Sequence, residues 1–225
     1  MKYLNKKEIE DSHQELFDEM KLIKGEKNNK IFEITTSFIK NKDAKILDCG
    51  CGSGKFMEAL SDYGYRSLCG LDIDNYLTTK INIKEFKAVD ISFDKIPWQD
   101  EFFDVVTAIQ VIEHLENPHN FIRETYRILQ PGGLFIFSMP NIQHILNRLL
   151  FLKTGDMPRY RAKNNHIALF PKGIFKKSVL KYFDLLDMGY IKGEFLYGFL
   201  SKFKFPENTW FGRDVYYVLK RKKNI

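Results

Sequence analysis

Short apolar runs alternate with stretches of helical periodicity through most of the chain. Five of these runs predict β-strands, at 44–47, 67–71, 86–89, 103–109 and 134–139. Their successive residues are apolar, so both faces of each strand must be covered. Between them, apolar residues recur every three or four positions, as in the helix that ends near Gly64. This alternation predicts a doubly wound α/β fold built on a parallel sheet.

Both ends of the chain depart from this alternation. Two amphipathic helices are predicted before the first strand, at 9–23 and 31–40. After the fifth strand, the pattern predicts helices at 142–150 and 172–182 and late strands at 183–188 and 215–219. Two long connections remain, at 154–165 and 192–212, and long ordered loops often carry binding function.

The composition is typical of one folded domain rather than a disordered or fibrous chain. The 225 residues are 44% hydrophobic and 28% charged, and a single core of this size buries most of its apolar surface. Much of the net charge of +6 comes from the four basic residues at 220–223. Such a basic tip does not favour a nucleic-acid partner, and it is compatible with an anionic small-molecule substrate.

Neither a secretory leader nor a membrane span can be recognised in the sequence. Charged residues follow Met1 where a signal peptide has its apolar segment, and no apolar run approaches the ~20 residues that cross a bilayer. We therefore expect a cytoplasmic protein. Cys49 and Cys51 are separated by one residue, which is not the spacing of zinc or redox sites, so we expect no metal.

A glycine turn follows the first predicted strand and opens a helix. It has the spacing G-x-G-x-G, with Gly50, Gly52 and Gly54 preceded by Asp48. Glycines allow a tight turn and let a ligand lie against the backbone, although a merely structural turn is an alternative. Lys55 stands where dinucleotide-binding proteins have their third glycine, which argues against an NAD-dependent oxidoreductase.

Carboxylates follow three successive strands of the predicted sheet. Asp48 ends the first strand, Asp72 ends the second, and Asp90 follows the third. The interval from the turn to Asp72 is near the ~20 residues at which an acid accepts the hydroxyls of a bound ribose. Asp90 is placed to accept from an amine on the base. Because carboxylates are acceptors only, they suit a ligand rich in donors.

Four motifs in the span 46–141 make the sequence resemble a known family. They are Leu-Asp-Cys-Gly-Cys-Gly-Ser-Gly at 47–54, Gly-Leu-Asp at 70–72, the run at 103–115 that ends in Glu-His-Leu, and Arg-Ile-Leu-Gln-Pro-Gly-Gly at 127–133 with Pro-Asn at 140–141. Together they resemble the class I S-adenosylmethionine-dependent methyltransferases, in the branch that includes the ubiquinone-biosynthesis O-methyltransferases.

The resemblance implies a Rossmann-like, doubly wound seven-stranded sheet with helices on both faces and an antiparallel last strand. It implies one domain over 1–225, with an N-terminal helical cap at 1–42 and a cofactor-binding core at 43–141. A substrate-side insertion and helix would follow at 142–182, and the C-terminal strands at 183–225.

S-adenosyl-L-methionine is the implied cofactor. In the family, Asp72 would hold the ribose, Asp90 the adenine amine, and the backbone of Ile109 and Gln110 the methionine end. The full set of expected cofactor-binding residues is Asp48, Gly50, Cys51, Gly52, Gly54, Asp72, Ile73, Asp90, Ile91, Ile109 and Gln110.

The expected reaction is methyl transfer to a hydroxyl oxygen of a small metabolite, such as a sugar, a sugar nucleotide or an aromatic. His114 and His166 are the candidate bases, and we expect His166 to matter more, although either ring can be structural. Arg159, Tyr160 and Arg161 are candidates for contact with an anionic substrate, unless they belong to a solvated loop.

Two other functions are compatible with the same motifs. One is a cofactor-binding module without transferase activity, and the other is N-methylation of a small amine. Nucleic-acid amino methylation is disfavoured, because the segment 109–112 lacks a Pro-Pro-aromatic element that could clamp a flipped base. The sequence does not predict an oligomeric state.

Overall fold

A computed structural model describes residues 30–161, 164–193 and 205–223 of the chain. The first predicted helix, at 9–23, lies outside the described residues, as does part of the predicted connection at 192–212. Within the described ranges, no helix has the length and apolar character needed to cross a membrane.

The seven strands form one mixed sheet. Their order is β3-β2-β1-β4-β5-β7-β6, and β7 runs antiparallel to both of its neighbours, β5 and β6. The pairs among β1 to β5 are parallel, which confirms the expected architecture. The strands are β1 (Lys45–Cys49), β2 (Ser67–Asp72), β3 (Glu85–Ala88), β4 (Phe103–Ile109), β5 (Leu129–Pro140), β6 (Phe183–Gly193) and β7 (Gly212–Arg221).

Helices connect the strands and precede the sheet. One short 3-10 helix, Ile112–His114, follows β4 directly. The α-helices are α1 (Lys30–Phe38), α2 (Lys55–Asp62), α3 (Pro118–Ile128), α4 (Ile145–Thr154) and α5 (Lys172–Ser178). The chain enters α3 through Asn117, whose side chain accepts the backbone N–H of Asn120 at 3.1 Å and so satisfies one of the free donors of the first turn.

Successive residues of the central strands pack into two cores, one on each side of the sheet. Val105 and Ile136 belong to one core, while Val106, Phe135 and Phe137 belong to the other. Each of these side chains is at most 2% exposed. The continuous apolar runs in the sequence therefore reflect burial on both faces.

The observed elements differ from the predicted ones mainly near the carboxyl end of the chain. β5 begins at Leu129, directly after α3, because its first residue pairs with Phe103 before a register shift that brings Val105 opposite Leu134. The two late strands are longer than predicted, because they pair with each other over almost their whole length. The predicted helix at 172–182 ends at Ser178.

Candidate active site

The glycine turn at the end of β1 is fixed to β2 by backbone hydrogen bonds. The N–H groups of Gly50 and Cys51 donate to the carbonyl of Leu71 at 2.7 and 3.1 Å, and Gly54 N–H donates to Cys51 at 2.9 Å. Cys51 is buried in this turn, and burial raises the pKa of its thiol, which stays protonated. The turn is therefore a rigid platform at the carboxyl edge of the sheet.

The three glycines of the turn face different surroundings, although each has a positive φ. A Cβ at Gly50 would lie 2.4 Å from Val111, and one at Gly54 would lie 2.4 Å from Thr79. A Cβ at Gly52 would meet no atom of the described residues within 4 Å. Gly50 and Gly54 are thus needed for internal packing, while Gly52 presents its backbone to open space where a ligand can lie.

Asp72 connects the end of β2 to this platform. Its Oδ2 accepts the N–H of Gly52 and its Oδ1 accepts the N–H of Ile73, both at 2.7 Å. A carboxylate can accept several hydrogen bonds at once, so a residue of this type can both hold the turn and accept from hydroxyl donors of a ligand. The sequence suggested the ribose contact, and the structure adds that Asp72 also holds the turn in place.

Asp48 lies deeper than Asp72, with only 3% of its surface exposed. The hydroxyl of Thr107 on β4 donates to its Oδ1 at 2.7 Å. Burial raises the pKa of Asp48 to about 7, the Thr107 hydrogen bond acts in the opposite direction, and the nearby charge of Asp72 raises it further. Near neutral pH, Asp48 therefore carries only part of its charge.

Asp90 lies two residues beyond β3, in a tight turn. Its Oδ1 accepts the backbone N–H of Ser92 at 3.1 Å, and its backbone carbonyl accepts the N–H of Asp94 at 2.8 Å. Val89 N–H donates to the carbonyl of Asp72 at 2.8 Å, which keeps this turn beside the end of β2. Ile91 is buried, and Ile73 is half-buried. The expected adenine-side residues therefore lie along the same sheet edge as Asp72.

The chain turns sharply where β4 ends. Gln110 has a φ of 56°, which is unusual for a residue with a side chain, and its N–H donates to the carbonyl of Ser138 at 3.1 Å. Its side-chain amide donates to the Ser138 hydroxyl, also at 3.1 Å. Ile109 and Gln110 are thus fixed against β5 at the point where the methionine end of the cofactor is expected.

Arg159 connects the substrate-side insertion to the sheet. Its guanidinium forms an ion pair with Asp214 of β7 at 2.5 Å and donates to the side-chain oxygen of Gln110 at 3.1 Å. The Arg159 side chain is only 15% exposed. Because a protein carboxylate already balances its charge, Arg159 is better suited to positioning the insertion than to receiving a substrate anion.

His114 and His166 come together, although they are distant in sequence. Their ring centroids are 4.6 Å apart, and the ring of Tyr160 lies 5.4 Å from that of His166. Arg161 follows in the same segment and is half-buried, and its carbonyl accepts the N–H of Asn164. The two candidate bases and Tyr160 therefore form one aromatic group beside the 3-10 helix.

The environment of His166 makes it a poor proton acceptor. Burial lowers its pKa to about 2, with further lowering by His114 and Arg159. The ring is neutral at pH 7, but a general base works best when its pKa is near the operating pH. This environment argues against the general-base role that we expected for His166.

Three residues at this site were missed as site residues in the sequence. Thr107 and Asp214 carry no local signal, because their partners are distant in the chain. Glu113 precedes His114 in a recognised motif, and its side chain is fully buried. Ligand atoms of Glu113, His114 and His166 lie within 4.8 Å of one another, a grouping that can hold a metal ion. The expectation of no metal overlooked this group, because His166 is far from the other two in sequence.

The glycine platform, the carboxylates and the parallel sheet define a class of nucleotide-binding α/β enzyme. A family model described as a methyltransferase domain matches residues 23–182, and the chain belongs to this family. S-adenosylmethionine is the cofactor of the family, and the open space at Gly52 together with Asp72 fits its nucleoside portion.

Relatives of known description match part of the chain. A Mycolicibacterium smegmatis protein named as a probable S-adenosylmethionine-dependent methyltransferase is 36% identical over 116 residues, which cover 50% of this chain and 42% of that protein. A ubiquinone biosynthesis O-methyltransferase of Pseudomonas entomophila is 33% identical over 104 residues, covering 43% and 44%. The matches thus span less than half the length of these relatives.

The fold is also similar to solved structures. One is an S-adenosylmethionine-dependent methyltransferase of Methanosarcina mazei, with a TM-score of 0.59 and 18% identity. The match covers 85% of this chain and 98% of the other. At this level of identity, the similarity concerns the fold alone.

Proposed function

We propose that the protein transfers a methyl group from S-adenosylmethionine to a hydroxyl oxygen of a small metabolite. The observation that carries the proposal is the backbone at Gly52, which is open toward the described residues and lies beside the buried carboxylate of Asp72, an acceptor group suited to ribose hydroxyls. The similarity to a ubiquinone biosynthesis O-methyltransferase supports oxygen as the acceptor atom. Sugars, sugar nucleotides and aromatic hydroxyl compounds remain the candidate acceptors.

The donor side of the reaction is a matter of binding and orientation. S-adenosylmethionine supplies a methyl group that is already activated by its bond to a sulfonium sulfur. Gly52 offers its backbone, Asp72 accepts from the ribose, and Asp90 accepts from the adenine amine. The fixed strand end at Ile109 and Gln110 would hold the methionine end of the bound cofactor.

An apolar cavity supports the choice of acceptor. Its volume is ≈ 280 Å³, and it lies at the end of β5, between α5 and the two antiparallel strands. Four aromatic residues line it, together with Lys172 and Lys176. The aromatic residues are Phe170, Phe175, Tyr190 and Tyr217. This lining suits an acceptor with an apolar or aromatic frame, and the two lysines can pair with an anionic group.

The chemical step requires alignment more than proton transfer. When bound, the cofactor would supply its methyl group to an acceptor oxygen, with the electron pair of the broken carbon–sulfur bond left on sulfur and the hydroxyl proton released to water. Alignment of reacting groups can account for ~7–11 kcal/mol of a barrier. A reaction that depends mainly on alignment is consistent with the low pKa of His166. In this proposal the His166 ring contacts the acceptor and does not remove its proton.

The proposal is tested by an acceptor screen with methyl-labelled S-adenosylmethionine. Phenols, catechols, sugars, sugar nucleotides and small amines are incubated with the enzyme, and the products are analysed by mass spectrometry. We expect labelled methyl on a hydroxyl oxygen. Transfer to amines alone would favour the N-methyltransferase alternative. Tight cofactor binding without turnover on any acceptor would favour a binding module.

The two histidines give a second test of the acceptor side. We expect His166→Gln to lower the methylation rate more than His114→Gln, while the affinity for S-adenosylmethionine stays within about twofold in both. The reason is that His166 belongs to the insertion, whereas the proposed cofactor contacts lie on the strand ends. Steady-state kinetics and calorimetry measure the two effects separately. If His114→Gln lowers the methylation rate more than His166→Gln does, His114 and not His166 is the residue that acts on the acceptor.

A further inference from the structure

We propose that Arg159 is a positioning residue, which sets the place of the acceptor relative to the methionine end of the cofactor. This inference rests on the proposed function, because it concerns the alignment of the two reacting molecules. The guanidinium of Arg159 binds to the ends of β4 and β7 through Gln110 and Asp214. Its backbone forms a hydrogen bond with the ring of His166. One residue therefore connects the strand ends to the acceptor side.

Gln110 provides the contact with the strand that is expected to hold the cofactor. Its side-chain amide has a partner on each side, because the nitrogen donates to the hydroxyl of Ser138 and the oxygen accepts from Arg159, both at 3.1 Å. Its backbone N–H donates to the carbonyl of Ser138, also at 3.1 Å. The amide thus has one orientation, and Arg159 binds to a fixed point at the end of β4.

Asp214 provides a second fixed point. It lies opposite Pro140 in the antiparallel pairing of β5 with β7, and its ion pair with Arg159 is 2.5 Å long. The side chains of the pair are only 15% and 14% exposed, so water weakens it little. A guanidinium is a planar, rigid fork, and bonds to two fixed acceptors determine its direction as well as its place.

On the acceptor side, Arg159 fixes the segment that carries Tyr160 and leads to His166. Tyr160 follows it directly, and the two aromatic rings lie 5.4 Å apart. In the proposed function, the His166 ring contacts the acceptor. A displacement of Arg159 would therefore displace the acceptor relative to the methyl group, and a misplacement of about 1 Å can lower a rate about 100-fold.

Two conservative variants remove the contact between Arg159 and Gln110 from either side. Arg159→Lys keeps a positive charge opposite Asp214, but an ammonium group lacks the fork that reaches two acceptors. Gln110→Asn keeps an amide and tolerates the φ of 56°, but its side chain is one methylene shorter. With the acceptor found in the screen, we expect each variant to lower kcat at least about tenfold. The KM for the acceptor and the affinity for S-adenosylmethionine should stay within about threefold.

The double variant shows whether the two residues act through one contact. A contact that is already broken cannot be lost again, so the kcat of the double variant should equal that of the slower single variant. Arg148→Lys is the matched control. Arg148 belongs to α4, donates to the carbonyl of Gln143 at 2.8 Å and lies over the ring of Trp210. This variant should have the kcat of the wild type.

The outcomes separate this inference from the proposed function. The positioning role is overturned if Arg159→Lys keeps the kcat of the wild type, or if the double variant loses the product of the two single losses. If Arg159→Lys does not fold, Gln110→Asn decides, and an unchanged kcat overturns the role. Each of these results leaves the proposed function intact, because the wild type still methylates its acceptor. A wild type that methylates no acceptor contradicts the proposed function and the positioning role together.

Discussion

The part of the molecule proposed to bind the methyl donor and the part proposed to bind the acceptor are stabilised by different kinds of contact. We refer to them as the donor half and the acceptor half. In the donor half, at the ends of β1 to β3, backbone N–H groups make the decisive contacts, as between Gly52 and Asp72. In the acceptor half, which comprises the insertion and the strands β6 and β7, side chains connect distant segments, as between Arg159 and Asp214.

This difference has consequences for how specificity arises. A site built from backbone groups needs only glycines at the turn and an acid at the strand end, so its geometry survives changes in most neighbouring side chains. A site built from side-chain pairs changes with each substitution. The donor half is therefore suited to one fixed ligand, and the acceptor half to a substrate that can differ among proteins with the same sheet.

The largest expected effect is loss of cofactor binding in Gly52→Val. The new side chain would enter the open space beside the turn, so we expect the affinity for S-adenosylmethionine to fall at least about 100-fold. Gly155→Val is the matched control, because Gly155 also has a positive φ with nothing within 4 Å of an added Cβ. The control carries similar backbone strain and should bind normally. If calorimetry finds equal affinity for S-adenosylmethionine in the two variants, the glycine turn does not contact the cofactor.

A somewhat smaller loss is expected for Asp72→Asn. The amide keeps the size of the side chain but loses charged hydrogen bonds, each of which contributes about 1.5–3 kcal/mol. We therefore expect affinity for S-adenosylmethionine to fall about 10- to 100-fold. Asp74→Asn is the matched control, because it changes an exposed carboxyl group two residues away. Its affinity for S-adenosylmethionine should equal that of the wild type. Unchanged binding in Asp72→Asn would contradict the ribose assignment.

In the acceptor half, we expect Asp214→Asn to lower the free energy of unfolding by about 1–3 kcal/mol. The cause is the loss of the ion pair that holds Arg159, whose side chain is largely buried. Cofactor affinity should remain within about twofold, because the donor half does not depend on this pair. Asp184→Asn is the control, since its contact with Lys222 is exposed and 3.9 Å long, and such pairs contribute at most about 1 kcal/mol. Chemical denaturation and calorimetry would check both; a large loss of cofactor affinity would show that the halves are coupled.

A further expected effect concerns the pH dependence of stability. The pKa of Asp48 is about 7 in the folded protein and near 3.8 in an unfolded chain, so the folded state binds the proton more tightly. Between these values, the free energy of unfolding should fall in the wild type relative to Asp48→Asn as the pH rises. The difference should become constant above about pH 8. Denaturation of the wild type and of Asp48→Asn at several pH values measures this. Parallel curves for the two proteins would contradict it.

The sequence predicted the strands and the glycine turn of the donor half well, because their signals are local. The strand 103–109 was predicted with the bounds that β4 has, and the glycine turn and Asp72 lie where the motifs placed them. The contacts of the acceptor half join residues from distant parts of the chain, as Gln110, Arg159 and Asp214 do, and spacing does not encode such contacts. His114 and His166 were each singled out, but only the folded chain brings them together with Glu113.

The position of β7 between β5 and β6 has a consequence for synthesis of the protein. β6 lies at the edge of the sheet, and β7 is its one neighbour there, although β6 comes first along the chain. On the ribosome, the residues of β6 therefore emerge before the strand with which they pair. Arg159 likewise has no Asp214 to pair with until that residue has been added. Both the edge strand and the position of the insertion therefore depend on the last strand to be synthesised among those described.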